Sequence, residues 1–490
     1  MKQIVPPTAG LAVSLVLILG LGTGFVHPFA PLPVPDENVE GTWLGTLQAG
    51  GGALRIVFHI SRDSVGVLTA TLDSPDQGAI GIPVGAVSVT GDSLRIEVPA
   101  IGGGYEGTIS ADGTTLDGTW TQGGQTFPLV LKRTDEAPVV QRPQEPKEPY
   151  PYAAAEVTFE NAAAGITLAG TLTMPRSEGP FPAVVLISGS GPQDRDEALM
   201  GHRPFLVLAD YLTRQGIAVL RFDDRGVGQS TGSFARATSE DFAGDALAGM
   251  AYLKGRSEIN PAKIGLVGHS EGGLVAPMVA VQSPDVAFIV LMAGPGLTGE
   301  EILYLQGALI FEANGASEEA ITRNRRQQER LFEVLKQEPD SAAAAQQLRA
   351  IMKETLDAMS DEEKQAAGIP EADVETLLDG QVRQLNTPWF CYFLTYDPVP
   401  TLQKVTCPVL AVNGEKDLQV TPEENLSLIE SALRQGGNEN VTVVELEGLN
   451  HLFQTAETGA PSEYATIEET FSPNALAVIG NWILKQTGER

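Results

Sequence analysis

The sequence predicts an α/β protein: a mostly parallel sheet with helices on both faces and a helical cap inserted late in it, preceded by a small all-β, barrel-like unit. Three observations carry this reading. Between about 153 and 490, near-continuous Val, Ile and Leu runs alternate with helix-length amphipathic segments, as strands buried on both faces of a parallel sheet require. Between 36 and 133 the runs are short, alternate apolar with polar residues and are punctuated by Gly, Asp and Ser, which is antiparallel β patterning. Between about 299 and 394, helix formers and charges replace strands altogether.

A chain of 490 residues is long enough for two or three domains. Its 62 acidic residues against 32 basic ones give a net charge of -30, which repels phosphate backbones and anionic membrane surfaces, so no nucleic-acid partner is expected. Lys2 followed by the uncharged, apolar stretch Thr8 to Val26 reads as a leader over residues 1–35 and implies export: periplasmic, extracellular or membrane-anchored. No A-x-A cleavage signal follows, so the rival reading is an uncleaved anchor, the one route to a membrane. Cys391 and Cys407 are too few for a disulfide framework and read as two buried free thiols, with one bridge, which export would permit, as the alternative. No Cys or His cluster has ligand spacing, so a zinc site is set aside.

In the β unit, Leu54 to Ile60, Val67 to Leu72 and Leu94 to Val98 show period two, and the turn spacing implies about eight strands. Gly41-Thr42-Trp43 near its start is echoed by Gly118-Thr119-Trp120 near its end, which suggests that first and last strands pair to close a barrel. Such a unit is expected to stabilise or space rather than to hold a ligand. Residues 134–152 contain Pro138, Pro143, Pro146, Pro149 and Pro151 and read as a semi-rigid linker. Eight strands follow, at Glu156 to Phe159, Ile166 to Met174, Ala183 to Ser188, Ala218 to Phe222, Ile264 to Gly268, Ala287 to Met292, Val409 to Val412 and Val441 to Leu446. The helical insertion falls between the sixth and seventh, above the carboxyl ends of strands, where open α/β sheets bind ligands.

The fifth strand ends in Gly268-His269-Ser270-Glu271-Gly272-Gly273, a G-x-S-x-G elbow that lifts Ser270 clear of the sheet on a strained turn. A serine nucleophile needs a histidine base, and the base needs a carboxylate to fix its tautomer. Of five histidines, His27 lies in the leader, His59 in the β unit, His202 before a helix, and His269 on the elbow pointing away from Oγ. His451, directly after the last strand, remains. Val409 to Asp417 supplies a strand, a glycine turn and two acids; the G-x-x-D spacing favours Asp417, with Glu415 as fallback. The oxyanion hole then takes the N–H of Glu271, next to the nucleophile, and that of Ser190 in the loop Ser188-Gly189-Ser190-Gly191-Pro192 after the third strand. Phe222 to Ser230 lacks the lysine and spacing of a phosphate loop, so Asp224 and Arg225 are read as tying loops together.

With these motifs in hand, the chain from about Ala154 to Arg490 resembles the α/β-hydrolases, and more narrowly bacterial serine carboxylesterases with an S-G-S-G-P-x-D-R-D-E loop, here Ser188 to Glu197. The order Ser270, Asp417, His451 agrees with that fold. The resemblance implies hydrolysis of short-acyl esters, a small-molecule ester as partner, and no metal or organic cofactor. Rival readings are a serine peptidase of the prolyl oligopeptidase kind, disfavoured because about ninety residues of β structure cannot build a propeller, an acyltransferase, and a non-catalytic binding module.

Overall fold

The computed structural model describes residues 39–488 apart from 50–51, 64, 78, 123–124, 137–140, 361–363 and 365–373. The expected leader lies outside these residues, and within them no helix is long and apolar enough to cross a membrane. The chain forms two compact units, one of residues up to 141 with 354–379, the other of 142–353 with 380–490.

The first unit holds a nine-stranded antiparallel sheet: β1 (Gly41–Ala49), β2 (Gly52–Arg62), β3 (Leu68–Ser74), β4 (Ala79–Pro83), β5 (Ala86–Thr90), β6 (Ser93–Val98), β7 (Gly103–Ile109), β8 (Thr115–Gln122) and β9 (Gln125–Thr134). That is one strand more than the turn spacing suggested. The order β4-β3-β2-β1-β9-β8-β7-β6-β5 pairs first with last strand, but in the middle of the sheet; the edges are β4 and β5. These strands are only five residues long, and Pro83, lacking an N–H, ends β4. Trp120 lies on β8, not on the partner of β1, so the echoed tripeptide marks no pairing. Strict alternation, as in Ser93–Val98, turns one face inward, and Trp43, Phe58, Tyr105 and Trp120 fill that interior.

The second unit begins with an anchored strap rather than a free linker. Arg142 donates to the carbonyls of Gly201 (3.0 Å), Ala465 (2.8 Å) and Ile467 (2.6 Å), and Gln144 donates to that of Phe471 (2.6 Å) while accepting from the N–H of Thr470 (2.7 Å). A guanidinium with five donors matches several loop carbonyls at once, which anchors a stretch that composition alone reads as a semi-rigid linker.

Its sheet comprises β10 (Ala153–Asn161), β11 (Ile166–Met174), β12 (Phe181–Ile187), β13 (Ala218–Phe222), β14 (Ile259–His269), β15 (Ile289–Met292), β16 (Val409–Gly414) and β17 (Val441–Leu446). In the order β10-β11-β13-β12-β14-β15-β16-β17 the run from β13 to β17 is parallel, and β11 alone opposes its neighbours. Successive residues of β12 feed two cores. Ala183, Val185 and Ile187 meet α2 (Ser239–Lys254) and α3 (Glu271–Gln282) on one face, and Val184 and Leu186 meet α1 (Pro204–Arg214) and the C-terminal helix on the other. Burial of each such Val, Leu or Ile contributes about 1.5–3 kcal/mol, enough together to hold a strained, charged site at the strand ends.

Between β15 and β16 lie α4 (Gly299–Ala313), α5 (Glu318–Gln337), α6 (Ser341–Asp357), α7 (Val374–Leu385), α8 (Pro388–Thr395) and the short α9 (Val399–Leu402); α10 (Pro422–Gln435) and α11 (Pro473–Thr487) follow. Thr298 and Glu301 form a capping box that starts α4 sharply after β15. Both cysteines are free and half-buried, a more open setting than their apolar neighbours in sequence suggested.

Candidate active site

Ser270 stands between the end of β14 and the start of α3 with φ 50° and ψ -115°, a conformation costly for any residue with a Cβ. Close approach of backbones enforces it. A Cβ on Gly268 would fall on the Gly272 carbonyl, and one on Gly272 would fall on that of Ile187 at the end of β12. The Ser270 N–H is held by the Met292 carbonyl (2.8 Å), so the strain is over-determined by neighbouring strands. The side chain is half-buried at the carboxyl end of the sheet.

The loops after β16 and β17 are pressed together at Gly414, where a Cβ would strike the Leu449 carbonyl. Across this contact His451 Nδ1 meets Asp417 Oδ2 at 2.7 Å, both side chains nearly inaccessible. Asp417 Oδ1 accepts from the N–H groups of Gln419 (2.8 Å) and Val420 (2.9 Å), which orients the carboxylate. A carboxylate only accepts, so Nδ1 carries the proton and Nε2 is left with a basic lone pair. Glu415 is exposed and accepts from the Gly448 N–H (2.8 Å), which places it on the turn and not against His451.

Gly189 packs against the nucleophile: a Cβ there would lie 3.3 Å from Ser270 Cβ. Its N–H is taken by Glu197 Oε1 (2.6 Å), while Ser190, next in the chain, is half-buried. Glu271 is the first residue of α3, where N–H groups have no partner within the helix and the dipole favours negative charge. Asp224 accepts from the Ser188 hydroxyl (2.9 Å) and the Gln193 N–H (2.9 Å), and Arg225 pairs with Asp245 (2.7 Å) and Asp241 (2.9 Å). Asp224 thus ties the loops after β12 and β13 together, whereas Arg225 ties its loop to helix α2. Among the described residues, no group of three or more His, Cys, Asp or Glu is placed to hold a metal ion.

A family of X-Pro dipeptidyl-peptidases, the S15 family, matches residues 164–447, a span that includes the elbow and Asp417 and stops just short of His451. The chain belongs to this family. With its sheet order and elbow it is an α/β-hydrolase of the serine type, in keeping with the resemblance read from the motifs. Esterase EstD of Thermotoga maritima is 26% identical over 319 residues, covering 65% of this chain and 66% of that one. The chain therefore spans just under two thirds of that relative's length. An uncharacterised Mycobacterium tuberculosis protein is 34% identical over 125 residues, 26% of this chain and 41% of its own. The solved Pyrococcus furiosus esterase Pf2001 is 18% identical, with coverage of 69% of this chain and 93% of that one and a TM-score of 0.40.

Three features of this family member escaped the sequence. Glu271 offers more than its N–H: its buried carboxylate accepts from Ser239 Oγ (2.6 Å) at the start of α2 and from Trp389 Nε1 (2.7 Å) in α8. This brings α8 against the start of α3. Burial pushes that carboxyl up to about 7, against hydrogen bonds from Ser239 and Trp389 that favour its charge. Second, His269, set aside as a base in the sequence, is not idle: Nδ1 meets Glu197 Oε1 at 2.9 Å and Nε2 the His451 carbonyl at 3.0 Å. Third, His202 is fully buried against the Tyr464 carbonyl (2.9 Å) and Thr470 (3.0 Å), and burial lowers its pKa to about 4. An acid inside G-x-S-x-G, at the start of an otherwise apolar helix from Leu274 to Val279, was the one legible signal of these contacts.

Proposed function

We propose that the chain is a serine carboxylesterase that cleaves short-acyl esters through an acyl-enzyme. Ser270 Oγ attacks the ester carbonyl as His451 Nε2 takes its proton, and Asp417 stabilises the imidazolium. The N–H groups of Ser190 and Glu271 receive the oxyanion of the tetrahedral intermediate. Collapse breaks the ester C–O bond, the alcohol leaves with the proton from His451, and water, activated by the same base, releases the acid. The observation that carries this reading is the buried Asp417–His451 hydrogen bond at 2.7 Å, in loops adjoining a serine elbow of the S15 family.

The family's description favours a second reading, removal of X-Pro dipeptides from a free amino terminus. It uses the same acyl-enzyme chemistry with an amine as leaving group. A panel of p-nitrophenyl esters from acetate to palmitate, run beside Gly-Pro and Ala-Pro p-nitroanilides, separates the two. Wild-type protein is expected to turn over the short esters, and Ser270→Ala to lose kcat by about 10⁴-fold or more. Full ester hydrolysis by Ser270→Ala would sink both readings; anilide cleavage with feeble ester turnover would install the peptidase.

A further inference from the structure

We propose that Glu197 and His269 act as an imidazolium–carboxylate brace, a positioning pair that fixes the oxyanion loop, the elbow and the His451 loop relative to one another. The proposal rests on the roles given above to Ser270, Ser190 and His451. One carboxylate oxygen, Glu197 Oε1, receives both the Gly189 N–H (2.6 Å) and His269 Nδ1 (2.9 Å), and the other end of the same ring meets the His451 carbonyl (3.0 Å). Three loops that must keep sub-ångström spacing thus converge on two side chains, neither of which touches the reacting atoms.

The protonation state follows from the partners. A carbonyl oxygen only accepts, so Nε2 carries a hydrogen. A carboxylate oxygen that already receives the Gly189 N–H also accepts, so Nδ1 carries one too. With both nitrogens donating, the ring is an imidazolium. Two acids face it and favour the charge, Glu197 from the loop after β12 and Asp417 from the loop after β16; the His451 ring, 4.9 Å away between centroids, also faces it from the loop after β17, and Phe453 supplies an apolar edge. Burial opposes charge on His269, but Glu197, the His451 carbonyl and Asp417 outweigh it and hold the pKa above its ordinary value.

The chain carries two local costs to keep the brace. Glu197 sits at φ 52°, in the left-handed region that disfavours residues with a Cβ, and its Oε2 is buried without a hydrogen-bond partner. Loss of the Nε2 proton would set a lone pair against the His451 carbonyl and push the base loop away from Ser270. The brace therefore gives an alkaline limit to kcat that is separate from titration of the catalytic base.

Glu197→Gln tests this, because glutamine keeps the shape and the acceptor but not the charge. Without Glu197's charge, burial is no longer outweighed, and the ring loses its second proton at lower pH than in wild type. Expected is a fall in kcat at pH 8 of up to about 100-fold, the scale of a misplaced catalytic group, with KM within about twofold and recovery toward pH 6. In parallel, ¹⁵N spectra of histidine-labelled protein, with the His269 signals assigned by their loss in His269→Asn, should show both ring nitrogens protonated at pH 7.5 in wild type and one in Glu197→Gln. A single protonated nitrogen in wild type, or a Glu197→Gln pH profile that overlays wild type, overturns the proposal. The nitrogen signals need no turnover, so they read the brace even if the ester panel fails.

Discussion

Replacing Glu271 with Gln should stabilise the protein, and by more as pH rises. The carboxyl is 4% exposed, and burial raises its pKa from the usual 4.5 to about 7. The folded state therefore holds this proton more tightly than the unfolded chain. Between about pH 4.5 and 7 the unfolded chain releases it first, so stability falls with rising pH through that window and is flat above it. A carboxyl pushed from 4.5 to about 7 corresponds to about 3 kcal/mol. The amino terminus of α3 favours the charged form by about 0.3–1 kcal/mol and trims this figure, leaving about 2–3 kcal/mol. Glutamine does not titrate, and its Oε1 still accepts from Ser239 and Trp389. Urea denaturation of both proteins at pH 5, 6, 7 and 8, followed by tryptophan fluorescence, should show nearly equal stability at pH 5 and a gain for the variant at pH 8. The gain belongs to the transition of the hydrolase unit, which holds Trp389 and Trp482, and not to that of the β unit with Trp43 and Trp120. A difference that stays constant from pH 5 to 8, or a variant weaker than wild type at pH 8, would refute the reasoning.

Two further outcomes follow from local geometry. Gly272→Ala places a methyl on the Ile187 carbonyl, between two backbones that cannot both yield, so a loss of about 1–3 kcal/mol and a displaced Ser270 are expected; kcat should fall at least about 100-fold, and wild-type turnover would count against the elbow geometry. His202, held neutral with a pKa of about 4, has the opposite sign to Glu271: the unfolded chain takes up its proton first as pH falls from about 6.5, so stability drops through pH 6.5 to 4 by up to about 3 kcal/mol. His202→Gln should flatten that acid limb in a pH series of unfolding midpoints; an unchanged limb would assign it to other groups.

The hydrolase sheet was legible because a doubly covered strand has one sequence signature, a near-continuous apolar run, which marks the central strands, while the half-polar stretches Glu156 to Phe159 and Val441 to Leu446 became the two edge strands. The elbow was legible for a related reason: strand, glycine, serine and helix follow one another locally, so chain order already implies geometry. The β unit was read less well. Period two identifies strands but not the sheet's edges, so the pairing of β1 with β9 was foreseen while the open edges at β4 and β5 were not. Least legible were contacts between distant residues. Nothing in the run Asp194 to Glu197 says that the last of these acids meets His269, 72 positions later, or that Trp389 reaches Glu271 across 118. Such pairs are made by loop closure, and single-sequence pattern carries no information about which exposed-looking acid ends up inside.

Those distant contacts explain why so short a glycine loop could serve as an oxyanion donor. A loop of Ser188-Gly189-Ser190-Gly191-Pro192 would be mobile in isolation, and a mobile donor must be reorganised as charge develops, which forfeits most of its value. Here each flank of Ser190 is fastened. Asp224 holds the Ser188 hydroxyl on one side and the Gln193 N–H on the other, Glu197 holds the Gly189 N–H, and Gln193 Nε2 donates to the Ser190 carbonyl at 3.2 Å. Asp223 adds a second clamp through the Arg195 N–H (2.9 Å) and guanidinium (2.8 Å). Asp224 bears the cost, since burial and the nearby acids Glu271 and Asp245 push its carboxyl well above the usual range. Backbone N–H groups taken by these carboxylates cannot turn toward substrate. The proposed role of Ser190 as oxyanion donor needs such fastening, because its N–H must be in place before any ester arrives.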